Sequence, residues 1–303
     1  MLSSVAVRNF SNSAVMANAI KNVTVIGSGL MGGGIAQVAA QTGHNVVMVD
    51  VDDGVLSKAH ERISTSMKRV AKKKFGDSQE EANKFVSDSL SRLTTTSVKN
   101  ADLVVEAIVE NIDIKQKLFK QLDEAAPEHT IFASNTSSLS IQKIAQNAKR
   151  KDRFGGLHFF NPVAVMKLLE VIRIPETSQA TTDSMIAWGK AMEKVTVQCK
   201  DTPGFIVNRL LLPYKMEAYR MYERGDASYR DIDTAMKLGT GYPMGPFELS
   251  DYVGLDTSLF IIEGWAKEYP DEPLYKVPEI LRKLVSEGKL GVKTGEGFYK
   301  YNK

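Results

Sequence analysis

Val23-Thr24-Val25-Ile26-Gly27-Ser28-Gly29-Leu30-Met31-Gly32 decides the fold. Its first four residues form a short strand rich in β-branched side chains. The strand runs directly into glycines at the spacing GxGxxG. Residues 30–42 then read as a helix rich in Ala, Gln and Met, which Gly43 closes. A second apolar strand, His44 to Val49, ends in Asp50, 18 residues after the last glycine. A glycine-rich turn alone says little, but between a strand and a helix, with an acid at that distance, it is a dinucleotide fingerprint. Gly27 permits the tight turn, Gly29 lets a pyrophosphate approach the backbone, and Gly32 lets the helix lie close to the strand. The helix start at Leu30 and Met31 offers its positive end to the phosphates, and Ser28 occupies the free position between the glycines. Asp50 is suited to ribose hydroxyls and would repel a 2′-phosphate, so NAD is expected rather than NADP.

Working outward, residues 53–88 read as one long charged helical region, with five cations in the seven residues 68–74. Most charge runs are solvated helix faces, and that is the first reading. The second is a docking surface for a substrate bearing phosphates. A strand at 102–108 leads to a helix at 111–126 that stops at Pro127. A strand at 130–134 is followed by Asn135-Thr136-Ser137-Ser138 and a helix at 139–148. This alternation predicts an α/β fold, a Rossmann-type doubly wound, mostly parallel sheet. Ligands in such sheets sit beyond the carboxyl ends of the strands, where Glu110, Lys115 and Ser137 are placed to face the cofactor. Ser137 serves equally well as a helix cap.

The chain holds four histidines, His44, His60, His129 and His158, so imidazole chemistry has few possible authors. His158 stands near the end of the apolar run 153–160, and a second strand-like run follows at 167–172. If the chain reverses around Ala164, His158 and Glu170 are equidistant from the pivot and lie side by side, with Cβ atoms about 5 Å apart. A neighbouring carboxylate fixes the imidazole tautomer and favours its protonated form, which makes it a better base. A base beside a nicotinamide can take a hydroxyl proton as the carbon gives up hydride. The competing reading is a core histidine satisfied by a structural carboxylate. His44 opens a strand, His60 sits in a charged helix and His129 lies in a turn, so these are poorer candidates. Glu110 and Asp102 are other conceivable partners for His158, but no spacing favours them.

Composition sets the outer bounds. The chain has 303 residues, 43% of them apolar, with 39 basic and 36 acidic side chains. A net charge of +3 points to neither a nucleic-acid nor a membrane partner. No run of 18 apolar residues exists to span a bilayer. The single cysteine, Cys199, excludes an intramolecular disulfide and a thiolate metal cluster, and no metal is expected. Residues 1–20 are rich in serine and carry Arg8 but no acid, the make-up of a short mitochondrial presequence, with a disordered tail as the competing reading. A nucleotide domain is expected over 21–201, its last strand at 195–199. A helical domain is expected over 202–303, with a hinge near Thr202–Gly204. The helix that runs to Arg224 carries Pro213, which should kink it, and an apolar stripe of Phe205, Leu210, Leu211, Tyr214, Met221 and Tyr222, read mostly as core. Shorter helices are expected at 229–238, 246–253, 256–268 and 278–287. Trp188 and Trp265 are read as packing residues.

The segments GSGLMG (27–32), ASNTSSL (133–139), GLHFFNPV (156–163), VMKLLEVI (165–172), KDTPGFIVNRLL (200–211), GYPMGPFELSDYVGLD (241–256) and KTGEGFYKY (293–301) carry a resemblance across essentially the whole chain. It resembles the short-chain L-3-hydroxyacyl-CoA dehydrogenase family, which oxidises 3-hydroxyacyl-CoA to 3-ketoacyl-CoA in mitochondrial β-oxidation. The resemblance implies that His158 is the catalytic base and Glu170 its orienting partner. It implies that Ser137 and Asn208 touch the substrate's oxygen-bearing carbons. Asp50, Glu110, Lys115, Ser137, Asn161 and Lys293 match positions used around NAD, and Ser66 and Lys73 match coenzyme A contacts. That raises the basic helix above a merely solvated face. The resemblance further implies a homodimer formed largely through the second domain, in the mitochondrial matrix. The departures are mild: Ser28 replaces a third glycine common in the fingerprint, and the 76–100 region is short. Two rivals stay open, a dehydrogenase of a free 3-hydroxy acid and a non-enzymatic, crystallin-like NAD-binding protein.

Overall fold

The computed structural model describes residues 20–95 and 100–301. The presequence expected over 1–20 lies, but for Ile20, outside these residues. Two compact units divide the chain, the first ending at Asp201 and the second beginning at Thr202.

The first unit alternates strands and helices: β1 (Asn22–Ile26), α1 (Leu30–Gln41), β2 (Asn45–Val49), α2 (Asp53–Phe75), α3 (Gln79–Leu90), β3 (Leu93–Thr94), β4 (Leu103–Glu106), α4 (Ile112–Ala125), β5 (Ile131–Ser134), α5 (Ile141–Ile144), β6 (Phe154–Phe159), β7 (Leu168–Arg173), α6 (Gln179–Ala191) and β8 (Val195–Lys200). The sheet order is β3-β2-β1-β4-β5-β6-β7-β8, parallel throughout except where β7 runs antiparallel to β6. β1 lies between β2 and β4, so the chain order reverses beside the glycine loop, and that crevice is where such sheets bind ligands. Val23, Val25, Leu103, Val105 and Ala133 from the strands and Ile35, Ala36 and Ala39 from α1 are among the residues of its core. Trp188 is buried in that core as well.

Two of the helices expected in this unit differ in extent. The long helix over 53–88 is two helices, because Gly76 adopts φ +56° and its N–H closes the end of α2 on Lys72 O. The helix over 139–148 shrinks to the single turn of α5, continued by a 3-10 turn at Ala145–Asn147. The two-residue strand β3 is too short to leave a sequence signal.

The second unit is helical: α7 (Val207–Glu223), α8 (Tyr229–Thr240), α9 (Pro246–Val253), α10 (Leu255–Glu268) and α11 (Glu279–Ser286). Its core is Leu212, Met216, Tyr219, Phe247, Leu255, Ile262 and Trp265 with their neighbours. This corrects the apolar stripe in part: Phe205 is buried and Met221 and Tyr222 pack against the core, but Leu210 is 69% exposed, and the buried residues of α7 are Leu212, Lys215, Met216, Ala218 and Tyr219. The helix runs on through Pro213. Asp233 and Asp251 tie the C-terminal motif down. Asp233 accepts the N–H groups of Phe247 and Glu248 and the Tyr299 hydroxyl; Asp251 accepts the N–H groups of Phe298 and Tyr299 and the Tyr301 hydroxyl. Among the described residues no helix is long and apolar enough to cross a membrane.

Candidate active site

The glycine loop takes the conformation its sequence requires. Gly27 has φ +93°, and a Cβ added at Gly32 would lie 1.7 Å from Gly27 O, so only glycine lets α1 sit this close. At Gly29 an added Cβ would meet nothing within 4 Å, so the backbone is open on the side where a diphosphate would approach. Leu30, 68% exposed, and Met31 open α1 behind it. Asp50 follows β2, and its Oδ2 accepts both the N–H (2.6 Å) and the hydroxyl (2.7 Å) of Ser28, while Oδ1 accepts the Val51 N–H (2.7 Å). Burial pushes the Asp50 carboxyl up, but these hydrogen bonds outweigh it and hold the group below its usual range. An open pocket of about 470 Å³ borders this loop, lined by Gly29, Arg62, Ser66, Arg69, Asn161 and Val163 among others. An aspartate at the end of the second strand, an open glycine and a helix N-terminus form the donor and acceptor set that an NAD adenosine and pyrophosphate require.

At the ends of the later strands, β6 and β7 place His158 directly opposite Glu170. The reversal falls at residue 164, as the equal spacing required. Residues 160–167 between the strands are held from outside by Lys194, whose Nζ donates to Val163 O (2.5 Å) and Met166 O (3.0 Å). His158 Nδ1 lies 2.6 Å from Glu170 Oε2, with both side chains buried. A carboxylate only accepts, so Nδ1 turns a proton toward Glu170, and in the neutral imidazole the lone pair then lies on Nε2. Nε2 is 3.1 Å from Ser137 Oγ. Ser137 does not cap α5; that role falls to Ser140, whose hydroxyl accepts the Lys143 N–H. Glu110 accepts the Ser137 N–H (3.2 Å) and the Thr136 hydroxyl (2.8 Å).

Asp102, the other partner considered for His158, accepts the Asn22 N–H and lies 3.3 Å from His129 Nε2. His44 is buried under Trp188, its Nδ1 3.1 Å from Ala39 O, and burial lowers its pKa. Cys199 is half-buried on β8; burial and the charges of Glu170 and Asp201 push its thiol up to about 12, which makes it a poor nucleophile.

The sequence model of the 3-hydroxyacyl-CoA dehydrogenase NAD binding domain matches residues 22–202, and that of the 3-hydroxyacyl-CoA dehydrogenase C-terminal domain matches residues 204–301. This chain belongs to the 3-hydroxyacyl-CoA dehydrogenase family. Human mitochondrial hydroxyacyl-coenzyme A dehydrogenase is 61% identical over 287 residues, 93% of this chain and 91% of that protein. A probable 3-hydroxyacyl-CoA dehydrogenase of Caenorhabditis elegans is 58% identical over 98% of this chain and 97% of its own length. The crystal structure of (S)-3-hydroxybutyryl-CoA dehydrogenase from Ralstonia eutropha superposes with TM-score 0.88 at 42% identity, covering 94% of this chain and all of that one. Membership makes this dehydrogenase an NAD-dependent oxidoreductase of 3-hydroxyacyl-CoA.

The remaining expected site residues of the dehydrogenase fall as follows. Asn161 is exposed just past β6. Ser66 lines the pocket beside the glycine loop, and Lys73 stands exposed further along the same face of α2, with Arg62 and Arg69 between and before them. Arg62 Nη2 donates to Ser28 O (2.7 Å), a link that sequence reading missed because α2 and the loop are far apart in the chain. In the second unit, Asn208 is half-buried in the first turn of α7, and Lys293 pairs with Asp256 at 2.6 Å. Lys115 departs from expectation. It lies in the first turn of α4, buried, with its ammonium on Glu106 (2.5 Å) and 3.7 Å from Glu110, because it shares the buried face of α4 with Phe119 and Leu122.

Proposed function

We propose that His158 is the general base of 3-hydroxyacyl-CoA oxidation, with Glu170 as its positioning partner. The observation that carries the proposal is the buried 2.6 Å contact between His158 Nδ1 and Glu170, which leaves Nε2 as the basic nitrogen, turned to Ser137. Nε2 takes the proton of the substrate's C3 hydroxyl, and the Glu170 carboxylate stabilises the imidazolium that forms. Bound NAD supplies the nicotinamide ring that accepts the C3 hydride. Ser137 and Asn208 hold and polarise the C3 oxygen and the acyl group. The glycine loop and Asp50 hold the adenosine and pyrophosphate of NAD. Glu110, Ser137 and Asn161 complete the first unit's contacts to NAD, Lys115 acts on them through Glu110, and Lys293 is the second unit's contact to the cofactor.

Ser66 and Lys73 bind coenzyme A, whose phosphates suit the basic face of α2. That face favours a coenzyme A ester over a free 3-hydroxy acid. Retention of the whole catalytic group speaks against a purely structural role. The exposed Leu210, Leu238, Tyr252 and Phe260 of the second unit supply apolar surface for a homodimer. The acid-free N-terminal sequence and the mitochondrial relative support a mitochondrial protein, working in the matrix.

NADH formation from 3-hydroxybutyryl-CoA and from free 3-hydroxybutyrate, measured for the parent and for His158→Gln, tests the reading. The ester should be the far better substrate, and the variant should lose at least about 10³-fold in kcat while still binding NADH. Near-normal turnover in the variant would sink the proposed role.

A further inference from the structure

Glu106 is a buried carboxylate for which the reaction has no direct use. It ends β4 with no exposed surface and accepts three hydrogen bonds, from Lys115 Nζ (2.5 Å), the Ile108 N–H (2.7 Å) and Ser134 Oγ (2.6 Å). Lys115 is 1% exposed. Desolvating two such ions offsets most of their attraction, so a pair this deep is weak evidence for a role in stability. Its surroundings point elsewhere, because two lines of contact lead from Glu106 to the same turn.

One line is short. Ser134 Oγ, which donates to Glu106 Oε2, accepts the Thr136 N–H at 3.3 Å. The other passes through Lys115, whose Nζ lies 3.7 Å from Glu110 Oε2. Glu110 in turn takes the Thr136 hydroxyl on Oε2 and the Ser137 N–H on Oε1. Main-chain bonds run alongside. The Asn135 N–H donates to Glu106 O (2.8 Å), and Asn135 Oδ1 accepts the N–H of Phe159, the residue after His158. Every line ends within residues 135–137, and Ser137 Oγ stands 3.1 Å from His158 Nε2.

We infer that Glu106 is a positioning residue that fixes the Ser137 hydroxyl against the His158 imidazole by holding Lys115 and Ser134. The inference rests on the proposed roles of His158 and Ser137. Its physical content is a competition for one ammonium. In the parent, Lys115 sits on Glu106 and lies 3.7 Å from Glu110, whose carboxylate keeps the Ser137 N–H. In Glu106→Gln the ammonium loses its charged partner, Lys115 shifts onto Glu110, and that carboxylate turns away from the 136–137 turn. Ser137 then loses its place relative to Nε2, and misplacement of about 1 Å in such a group lowers the rate by about 10²-fold.

The test is a double-mutant cycle on the full-length chain with NAD and 3-hydroxybutyryl-CoA, comparing the parent, Ser137→Ala, Glu106→Gln and the double variant. Glu106→Gln should lower kcat by about tenfold or more, with KM for the acyl-CoA within about twofold. In the Ser137→Ala background the same substitution should have less than about a twofold further effect, because the group it positions is gone. Equal losses in both backgrounds, or a change confined to KM, would overturn the inference and leave the roles of His158 and Ser137 standing. Full activity of Ser137→Ala would instead overturn the reading of Ser137 on which the inference rests. If Glu106→Gln fails to fold, Glu106→Gln with Lys115→Met removes the unpaired charge. That pair leaves no ammonium to draw Glu110 from the turn, so it should fold and keep kcat within about threefold of the parent's, and a loss of tenfold or more would overturn the inference.

Discussion

His158 and Glu170 face each other across the antiparallel pair β6–β7, and their side chains meet at 2.6 Å on one face of the sheet, where both are buried. The contact sets which imidazole nitrogen is basic. It also puts a fixed negative charge beside the positive charge that develops when that nitrogen takes a proton. An amide in the same place keeps the hydrogen bond and loses the charge. Glu170→Gln should therefore lower kcat by about 10²- to 10⁴-fold with little change in NAD affinity. Steady-state kinetics with an NADH-binding titration check this, and a change restricted to KM would count against the role given to Glu170.

Asp50 should decide between the two nicotinamide cofactors. Its Oδ2 is taken by both donors of Ser28, which anchors the carboxylate at the end of β2. Asp50→Asn removes the charge and weakens that anchor. We expect kcat/KM for NAD to fall by about tenfold or more and the NAD-to-NADP preference to shrink by at least as much. An unchanged preference ratio would show that discrimination lies elsewhere.

Gly32→Ala tests the close approach of α1 to the loop. The new methyl would sit 1.7 Å from the Gly27 carbonyl oxygen and 3.3 Å from Val25 Cγ1, and the first neighbour is backbone that cannot swing aside. The helix must retreat, so the variant should lose about 3 kcal/mol of stability together with NADH binding. Thermal unfolding reads the first effect and NADH fluorescence the second. A parental melting temperature would contradict the geometry.

Lys215 makes stability depend on alkaline pH. It is buried in the core of the second unit, where Nζ donates to Ser258 Oγ at 3.1 Å, and burial lowers its pKa from 10.5 to about 8. The unfolded chain then binds more protons than the folded one between pH 8 and 10.5, so this group's contribution to stability rises with pH across that window. Below pH 8 the lysine is charged in both states, and the folded protein carries the full burial penalty. The rise amounts to about 3 kcal/mol. Lys215→Met should be more stable than the parent at pH 7, and the gap should close as pH approaches 10.5. Denaturant titrations of both proteins across the range check it, and a gap independent of pH would refute the assignment.

Local chemistry, acting within short stretches of chain, determines much of this protein. The glycine spacing after 23–26 and the acid at Asp50 specify a nucleotide-binding half, because each residue has a backbone or charge requirement of its own. The equal distances of His158 and Glu170 from residue 164 specify their pairing, because an antiparallel turn makes register a matter of counting. Tertiary structure decides what counting cannot reach. Helix α7 carries apolar residues on more than one face, and only its packing against α9 and α11 settles that Leu212, Met216 and Tyr219 are core while Leu210 faces out. The sequence sets Lys115 beside the cofactor and Glu106 within a strand, and the burial that pairs them comes from β4, β5 and α4 closing together. Ser137 reaches His158 because parallel strands separated by a crossover end at the same edge of the sheet. Motifs act through neighbours in sequence, whereas these contacts join elements that meet only when the sheet is assembled.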